Sequence, residues 1–181
     1  MQKPNPFTDT PFKKRFMSSK ATLMLATSLA LFFILINALN QGTSKAPDVA
    51  FSTITGHKIA LNALQGKPVI VTFWATDCAE CLREIPDLIE LYKQYHQQGL
   101  EIIAVAMDYD PPNHVIDLSK DLQLPYHVAL DITGEQARAF GHVQLTPTTF
   151  LITPSGLIDL QKTGAFDLSE LKSHIEKLLK G

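Results

Sequence analysis

Cysteine is nearly absent: the 181-residue chain has two, Cys78 and Cys81. That excludes a scaffold stapled by several disulfides, and it excludes a zinc site made of four thiolates. Neither sign of charge dominates. With 16 Lys and Arg against 18 Asp and Glu the formal net charge is −2, so no basic field advertises a nucleic-acid partner. Internal repeats and low-complexity tracts are missing. Hydrophobic residues at 45% and charged residues at 19% exclude a disordered or fibrous chain. The length leaves room for one domain and an appendage.

What charge there is falls unevenly. Residues 1–20 hold Lys3, Lys13, Lys14, Arg15 and Lys20 against Asp9 alone, and no charge occurs from Ala21 to Ser44. Within that gap, Ala21 to Leu39 reads ATLMLATSLALFFILINAL, interrupted only by Thr22, Thr27, Ser28 and Asn37. Nineteen helical residues span roughly 28 Å, about one bilayer core, and a helix satisfies its own backbone polar groups in lipid. A buried core helix would keep a polar face, and this run has none of consequence. A cleaved signal peptide would end in a small-x-small site, which Ala38-Leu39-Asn40 matches poorly. The expectation is an uncleaved, single-pass signal anchor. It comprises a cytoplasmic basic tail over 1–20, a transmembrane helix over 21–39 and a polar linker over 40–45, followed by a folded domain over 46–181. Positive charge on the N-terminal side alone keeps the tail in the cytoplasm and puts the domain outside the inner (cytoplasmic) membrane, in the periplasm or its equivalent. The part beyond the anchor carries 11 basic and 17 acidic residues, an ordinary soluble surface.

The β-branched and aromatic run Val69-Ile70-Val71-Thr72-Phe73-Trp74 predicts a buried strand. Ile85, Leu88, Ile89, Tyr92 and Tyr95 share one face of a helix from about 79 to 97, closed by Gly99. Residues 100–107 (LEIIAVAM) predict a second buried strand. Pro111-Pro112 precedes a helix at 113–122, a short strand at 126–130 and a short helix at 134–140. Strands at 148–152 and 157–163 flank Pro154-Ser155-Gly156 and predict a hairpin. Asp167-Leu168-Ser169-Glu170 has the form of a capping box and opens a last helix with Leu168, Leu171, Ile175 and Leu178 on one face. Parallel crossovers followed by an antiparallel edge imply an α/β fold: a mixed sheet with helices on both faces. Residues 46–68 are expected to add an N-terminal hairpin turning near Thr55-Gly56.

Both cysteines fall where the first strand passes into the first helix. In Trp74-Ala75-Thr76-Asp77-Cys78-Ala79-Glu80-Cys81, the first cysteine stands at the helix N-terminus, where free N–H groups and the dipole favour a thiolate. The second lies one turn in, close enough to attack a mixed disulfide formed by the first. Cys78 is then the exposed nucleophile and Cys81 the buried resolving thiol, and the only internal disulfide open to them is with each other. Two other readings compete. The pair could be two small buried hydrophobes, or half of a metal site completed by a distant histidine, His142 being the one able to approach.

The domain resembles the thioredoxin superfamily, and within it the membrane-anchored TlpA/ResA-type thiol–disulfide oxidoreductases. The likeness runs from Ala46 to the C-terminus. It rests on Ala46-Pro47-Asp48 at the start, Gly66-Lys67-Pro68-Val69 before the strand, Phe73-Trp74-Ala75-Thr76 before the cysteines, and Pro147-Thr148-Thr149-Phe150-Leu151-Ile152. The resemblance implies a thioredoxin-like fold. It implies a cis Pro147 facing the cysteines, with the Thr146 backbone turned to pair with an extended substrate segment. It implies that Glu84, one helical turn past Cys81, handles the proton of the buried thiol, against the plainer reading of a solvated helix charge. It gives Pro86 a structural role in the helix, and it sets Trp74 beside the site. No metal and no cofactor are expected beyond the Cys78–Cys81 disulfide itself. The implied activity is protein-disulfide reduction. The implied partners are a membrane electron donor and exported disulfide-containing proteins, with apocytochrome c as the client suggested by analogy. A peroxiredoxin-like peroxidase is the rival enzyme, but the P-x-x-x-T-x-x-C context of such proteins is lacking. A copper metallochaperone is the non-enzymatic rival, although those space their cysteines by three residues.

Three departures from the family pattern carry information. Asp77 stands where the family has Trp or a similar residue, Ala79-Glu80 replaces x-Pro, and Thr72 occupies the strand position where thioredoxin has a buried acid. Acids at 77 and 80 oppose thiolate formation at Cys78, which leaves the dithiol less stabilised relative to the disulfide and favours a reductant. A redox titration of the pair is expected to give a potential below about −200 mV, on the scale where disulfide isomerase lies near −180 mV. A value near −120 mV would overturn the expectation.

Overall fold

The computed structural model describes residues 44–180, together with Thr27. The expected basic tail, the transmembrane helix and most of the linker therefore lie outside the described residues. Among the described residues no helix is long and apolar enough to cross a membrane.

Two short strands open the domain, β1 (Ala50–Ser52) and β2 (Lys58–Ala60), antiparallel about a turn in which Gly56 takes φ +84°, a conformation that L side chains resist. There follow β3 (Val69–Trp74), α1 (Ala79–Tyr95), β4 (Glu101–Ala106), α2 (Pro112–Asp121), β5 (His127–Leu130), α3 (Glu135–Ala139), β6 (Thr148–Ile152), β7 (Ile158–Thr163) and α4 (Leu168–Lys180). The main sheet has the order β5-β4-β3-β6-β7. β3, β4 and β5 run parallel, while β6 and β7 are antiparallel to their neighbours. This is the mixed sheet expected, with the N-terminal hairpin in place.

Alternation along the strands sorts side chains into two cores. Ile70 and Trp74 of β3 join Ile102, Ala104, Val128 and Leu151 on one face, which α1, α2 and α4 cover. Val71 and Phe73 join Ile103, Val105 and Phe150 on the other, covered by Phe51 of β1, Ala137 of α3 and the neighbouring Phe140. Helices on both faces force β3 and β4 to be buried along their whole lengths, which is why they read as apolar runs broken only by Thr72 and Glu101. On the second face three rings interlock, with Phe73–Phe150 centroids 6.0 Å apart and Phe140–Phe150 centroids 4.9 Å apart.

Two details differ from the sequence pattern. Helix α1 stops at Tyr95 rather than near 97, because a 3-10 turn over His96–Gln98 tightens its end before Gly99, at φ +114°, reverses the chain. Leu91 is fully buried although it lies off the expected stripe. Helix α1 packs against α4 as well as the sheet, with the Tyr95 hydroxyl donating to Glu176 at 2.8 Å and Lys172 pairing with Glu90 at 2.7 Å, so a second strip of the helix faces protein. The cap of α4 forms as its sequence implies: the Glu170 amide donates to Asp167 Oδ1 at 2.9 Å. The apolar face of that helix seats Leu171 and Ile175 in the core.

Phe150 is fully buried at the centre of the ring cluster. Phe150→Ala is expected to lower the unfolding free energy by about 3–5 kcal/mol in a urea titration of the oxidised protein, whereas a change under 1 kcal/mol would contradict this packing.

Candidate active site

Sheet topology brings three connections to one edge. β3 ends at Trp74. Because β6 runs antiparallel to it, with Phe73 opposite Thr148, the start of β6 and the preceding Pro147 lie beside the end of β3. β4 runs parallel to β3, with Trp74 opposite Ala106, and the Met107 amide donates to the Trp74 carbonyl at 3.0 Å. The β3–α1 turn, the β4–α2 connection and the segment before β6 thus meet at the N-terminus of α1.

Cys78 is the N-cap of α1, in extended conformation, and its sulfur accepts a hydrogen bond from the Cys81 amide at 3.1 Å. A thiolate there would gain the same amide and the positive end of the helix dipole. The two cysteines form a disulfide with Cα atoms 5.2 Å apart. Cys81 is buried and Cys78 half-buried rather than openly exposed; Asp77 is the residue that faces solvent. The Thr146–Pro147 bond is cis. Pro147 is buried against the pocket that Cys81 lines, while Thr146 is half-exposed with its hydroxyl 3.4 Å from that of Tyr109.

Behind Cys81 lies a small pocket of about 10 Å³, lined by Thr72, Trp74, Cys81, Glu84, Tyr126 and Pro147 among others. That is barely the space of one water. Glu84 is 5% exposed, which excludes a solvated surface charge. Its carboxylate accepts from the Phe166 amide at 2.8 Å. Burial pushes the Glu84 carboxyl up to about 7, the Phe166 amide pulls it back, and the negative charges of Glu80 and Asp87 add to the rise. Across the pocket, Thr72 has the Thr149 hydroxyl as partner at 2.9 Å, so the strand position contributes a satisfied hydroxyl pair rather than an acid. The pocket's acid comes instead from the helix. The Trp74 indole N–H is buried and makes no hydrogen bond.

The charges around Cys78 differ from those expected. Glu80 forms an ion pair with Arg83, which offsets its field at the cysteine. Asp77 remains, and a third acid enters from the β4–α2 connection. Asp110, 6% exposed, accepts from the Thr76 amide at 2.6 Å and from the Thr76 hydroxyl at 2.7 Å. Nothing local in Tyr109-Asp110-Pro111-Pro112 marks this role; only the parallel register of β3 and β4 brings it to the cysteine turn. Likewise Tyr126, after α2, walls the Glu84 pocket from a distance no motif encodes. His142 sits at φ +59° and lines a pocket with Asp108, Tyr109 and Arg138, not the one that Cys81 lines. Among the described residues no group of three His, Cys, Asp or Glu side chains is placed to hold a metal ion.

Comparison with known proteins is consistent with this geometry. The AhpC/TSA family model matches residues 43–161. The thiol-disulfide oxidoreductase ResA of Geobacillus thermodenitrificans (strain NG80-2) is 35% identical over 152 residues, covering 84% of this chain and 86% of that protein. ResA of Bacillus subtilis (strain 168) is 30% identical over 175 residues, 93% of this chain and 97% of that one. The crystal structure of a thioredoxin-family thiol:disulfide interchange protein from Chlorobium tepidum TLS superposes with a TM-score of 0.69 at 27% identity, over 76% of this chain and 97% of its own.

An acid whose carboxyl is raised on folding takes up a proton as the chain folds between the two values. The stability that Glu84 contributes is therefore complete below its ordinary 4.5 and is lost as pH rises through about 7. Urea titrations across that window should show the unfolding free energy declining with pH by up to about 3 kcal/mol, a slope that Glu84→Gln removes. Parallel curves for the two proteins would contradict it.

Proposed function

The chain belongs to the AhpC/TSA family and is a thiol–disulfide oxidoreductase exchanging through Cys78 and Cys81; from that premise we propose that it acts as a protein-disulfide reductase tethered outside the cytoplasmic membrane. The observation that carries the reading is Cys78 at the N-cap of α1, its sulfur already receiving the Cys81 amide, with Cys81 in reach behind it.

In the dithiol form the Cys78 thiolate attacks one sulfur of a client disulfide. The client S–S bond breaks, a Cys78–client disulfide forms, and the displaced client sulfur leaves as a thiolate that takes a proton from water. Cys81 then loses its proton and attacks the Cys78 sulfur. The mixed disulfide breaks, the second client thiol is released and protonated, and the Cys78–Cys81 disulfide remains. Two electrons have passed to the client, and a dithiol electron donor restores the pair by the reverse steps. Glu84 lines the pocket with Cys81 and titrates near neutrality, which suits it to accept the Cys81 proton in the second attack. The Thr146 backbone, beside a cis Pro147, offers an extended client segment one short strand pairing.

The direction of exchange follows from charge. Asp77 beside Cys78 and the buried Asp110 on Thr76 oppose the thiolate that the Cys81 amide and the helix dipole favour, which supports an oxidised pair as the stable product. The apolar run over 21–39 with its one-sided basic flank supports tethering. Tethering concentrates the domain near a membrane electron donor and near clients emerging from the membrane. The resemblance to TlpA/ResA-type proteins supports apocytochrome c as one such client, and hence a place in cytochrome c maturation.

Cys81→Ser leaves a nucleophile that cannot be resolved. In cells it should accumulate reducible adducts through Cys78 that vanish in the Cys78→Ser/Cys81→Ser double variant. Cytochrome precursors among them would support that client, and many unrelated exported proteins would indicate a general reductase. An absence of adducts would refute the reductase reading.

A further inference from the structure

The turn that carries Cys78 has little backbone support of its own. β3 ends at Trp74 and α1 begins at Ala79, and between them the Cys78 amide reaches Ala75 O at 3.2 Å. Both donors of Thr76, amide and hydroxyl, are taken by the two carboxylate oxygens of Asp110, at 2.6 and 2.7 Å. Asp110 is 6% exposed, and among the described residues no cation pairs with it. A buried carboxylate without a counter-ion is an expensive way to fill space, and it persists only where its hydrogen bonds are fully engaged.

Its own backbone is fixed as well. The Asp110 amide donates to Met107 O at 3.0 Å, and Pro111 and Pro112 restrict the chain after it as α2 begins. The preceding residue, Tyr109, reaches the other side of the site through Thr146. Two consecutive residues of one connection therefore touch the cysteine turn and the cis-proline segment. The pairing of β3 with β6 brings these two segments side by side, and this connection braces both.

We infer that Asp110 is a positioning residue for disulfide exchange: its carboxylate clamps Thr76 at two points and thereby holds the Cys78 sulfur over the first turn of α1 and in register with Thr146. The inference rests on the reductase reading and adds a residue that acts through the turn rather than on the client. Asn at this position can still accept from the Thr76 amide and donate to its hydroxyl; Ala can do neither. Both lose the charge, so the difference between them isolates the clamp.

The test uses the full chain in mild detergent with a disulfide-bonded peptide as substrate, together with the pH profile of Cys78 alkylation and a thermal melt. Asp110→Ala is expected to exchange about tenfold more slowly or worse, since small misplacements of a reacting atom have effects of that size. Asp110→Asn should return to within about threefold of wild type. The alkylation midpoint should lie about one pH unit higher in the Ala variant than in the Asn variant, because only the Asn turn keeps the Cys81 amide aimed at the sulfur. Thr76→Val, which removes one arm, should slow exchange about threefold and decides the matter if the Ala variant does not fold. A folded Asp110→Ala protein with wild-type rate and with the Asn variant's midpoint would overturn the inference. So would an Asn variant as slow as Ala, or Thr76→Val at the wild-type rate. A wild-type chain that exchanges no disulfide would instead overturn the reductase reading on which the inference rests.

Discussion

The pairing of β3 with β6 is the constraint on which the site depends. Phe73 faces Thr148 in an antiparallel register, although the two residues are far apart in the chain. That register sets the residue before β6 beside the last residue of β3, so a cis proline and a helix N-terminus meet without either encoding the other. A one-residue slip of β6 would turn Phe150 out of its core and carry Pro147 away from the cysteines. The ring cluster of Phe73, Phe140 and Phe150 guards against such a slip from the opposite face, because a slipped β6 would bury Thr149 where Phe150 now packs. The chemistry on one side of the sheet is thus locked by apolar packing on the other.

Electrostatics at the site divide between two depths. Near the surface, Cys78 draws on the helix start and has acids for neighbours, one of which Arg83 partly neutralises. Beneath it, Cys81 shares a nearly closed pocket with a carboxyl that burial holds close to neutrality. Thioredoxin places a buried acid on the strand; here Thr72 closes that position with a hydroxyl pair, and the helix supplies Glu84 instead. An acid on α1 lies one turn from Cys81, so the carboxyl and the buried cysteine share one rigid element.

Much of this was legible in the chain. The strand runs over 69–74 and 148–152 need no partner to be recognised, since burial on both faces makes them almost wholly β-branched, aromatic or aliphatic. The two cysteines are conspicuous because nothing else in the chain can pair with them. Glu84 was legible by its spacing but not by its state: sequence shows an acid one turn from Cys81, and only the closure of the pocket by Tyr126 and Pro147 shows that it is buried. Asp110 was not legible at all. Its function comes from the parallel register of β4 on β3, and Tyr-Asp-Pro-Pro reads equally well as an ordinary loop. Leu91 escaped for a related reason, because a helix between a sheet and a second helix buries more than the single stripe that periodicity marks. The half-burial of Cys78 could not be read either, since it depends on how the surrounding connections stack above the helix end.

The chain has a single tryptophan, and the fold sets it in the wall of the pocket beside Cys81. A neighbouring disulfide drains the excited state of an indole, and a dithiol does so far less. The protein's own ultraviolet emission is therefore a gauge of its redox state, readable during turnover without a label and with no second chromophore of its kind to obscure the signal.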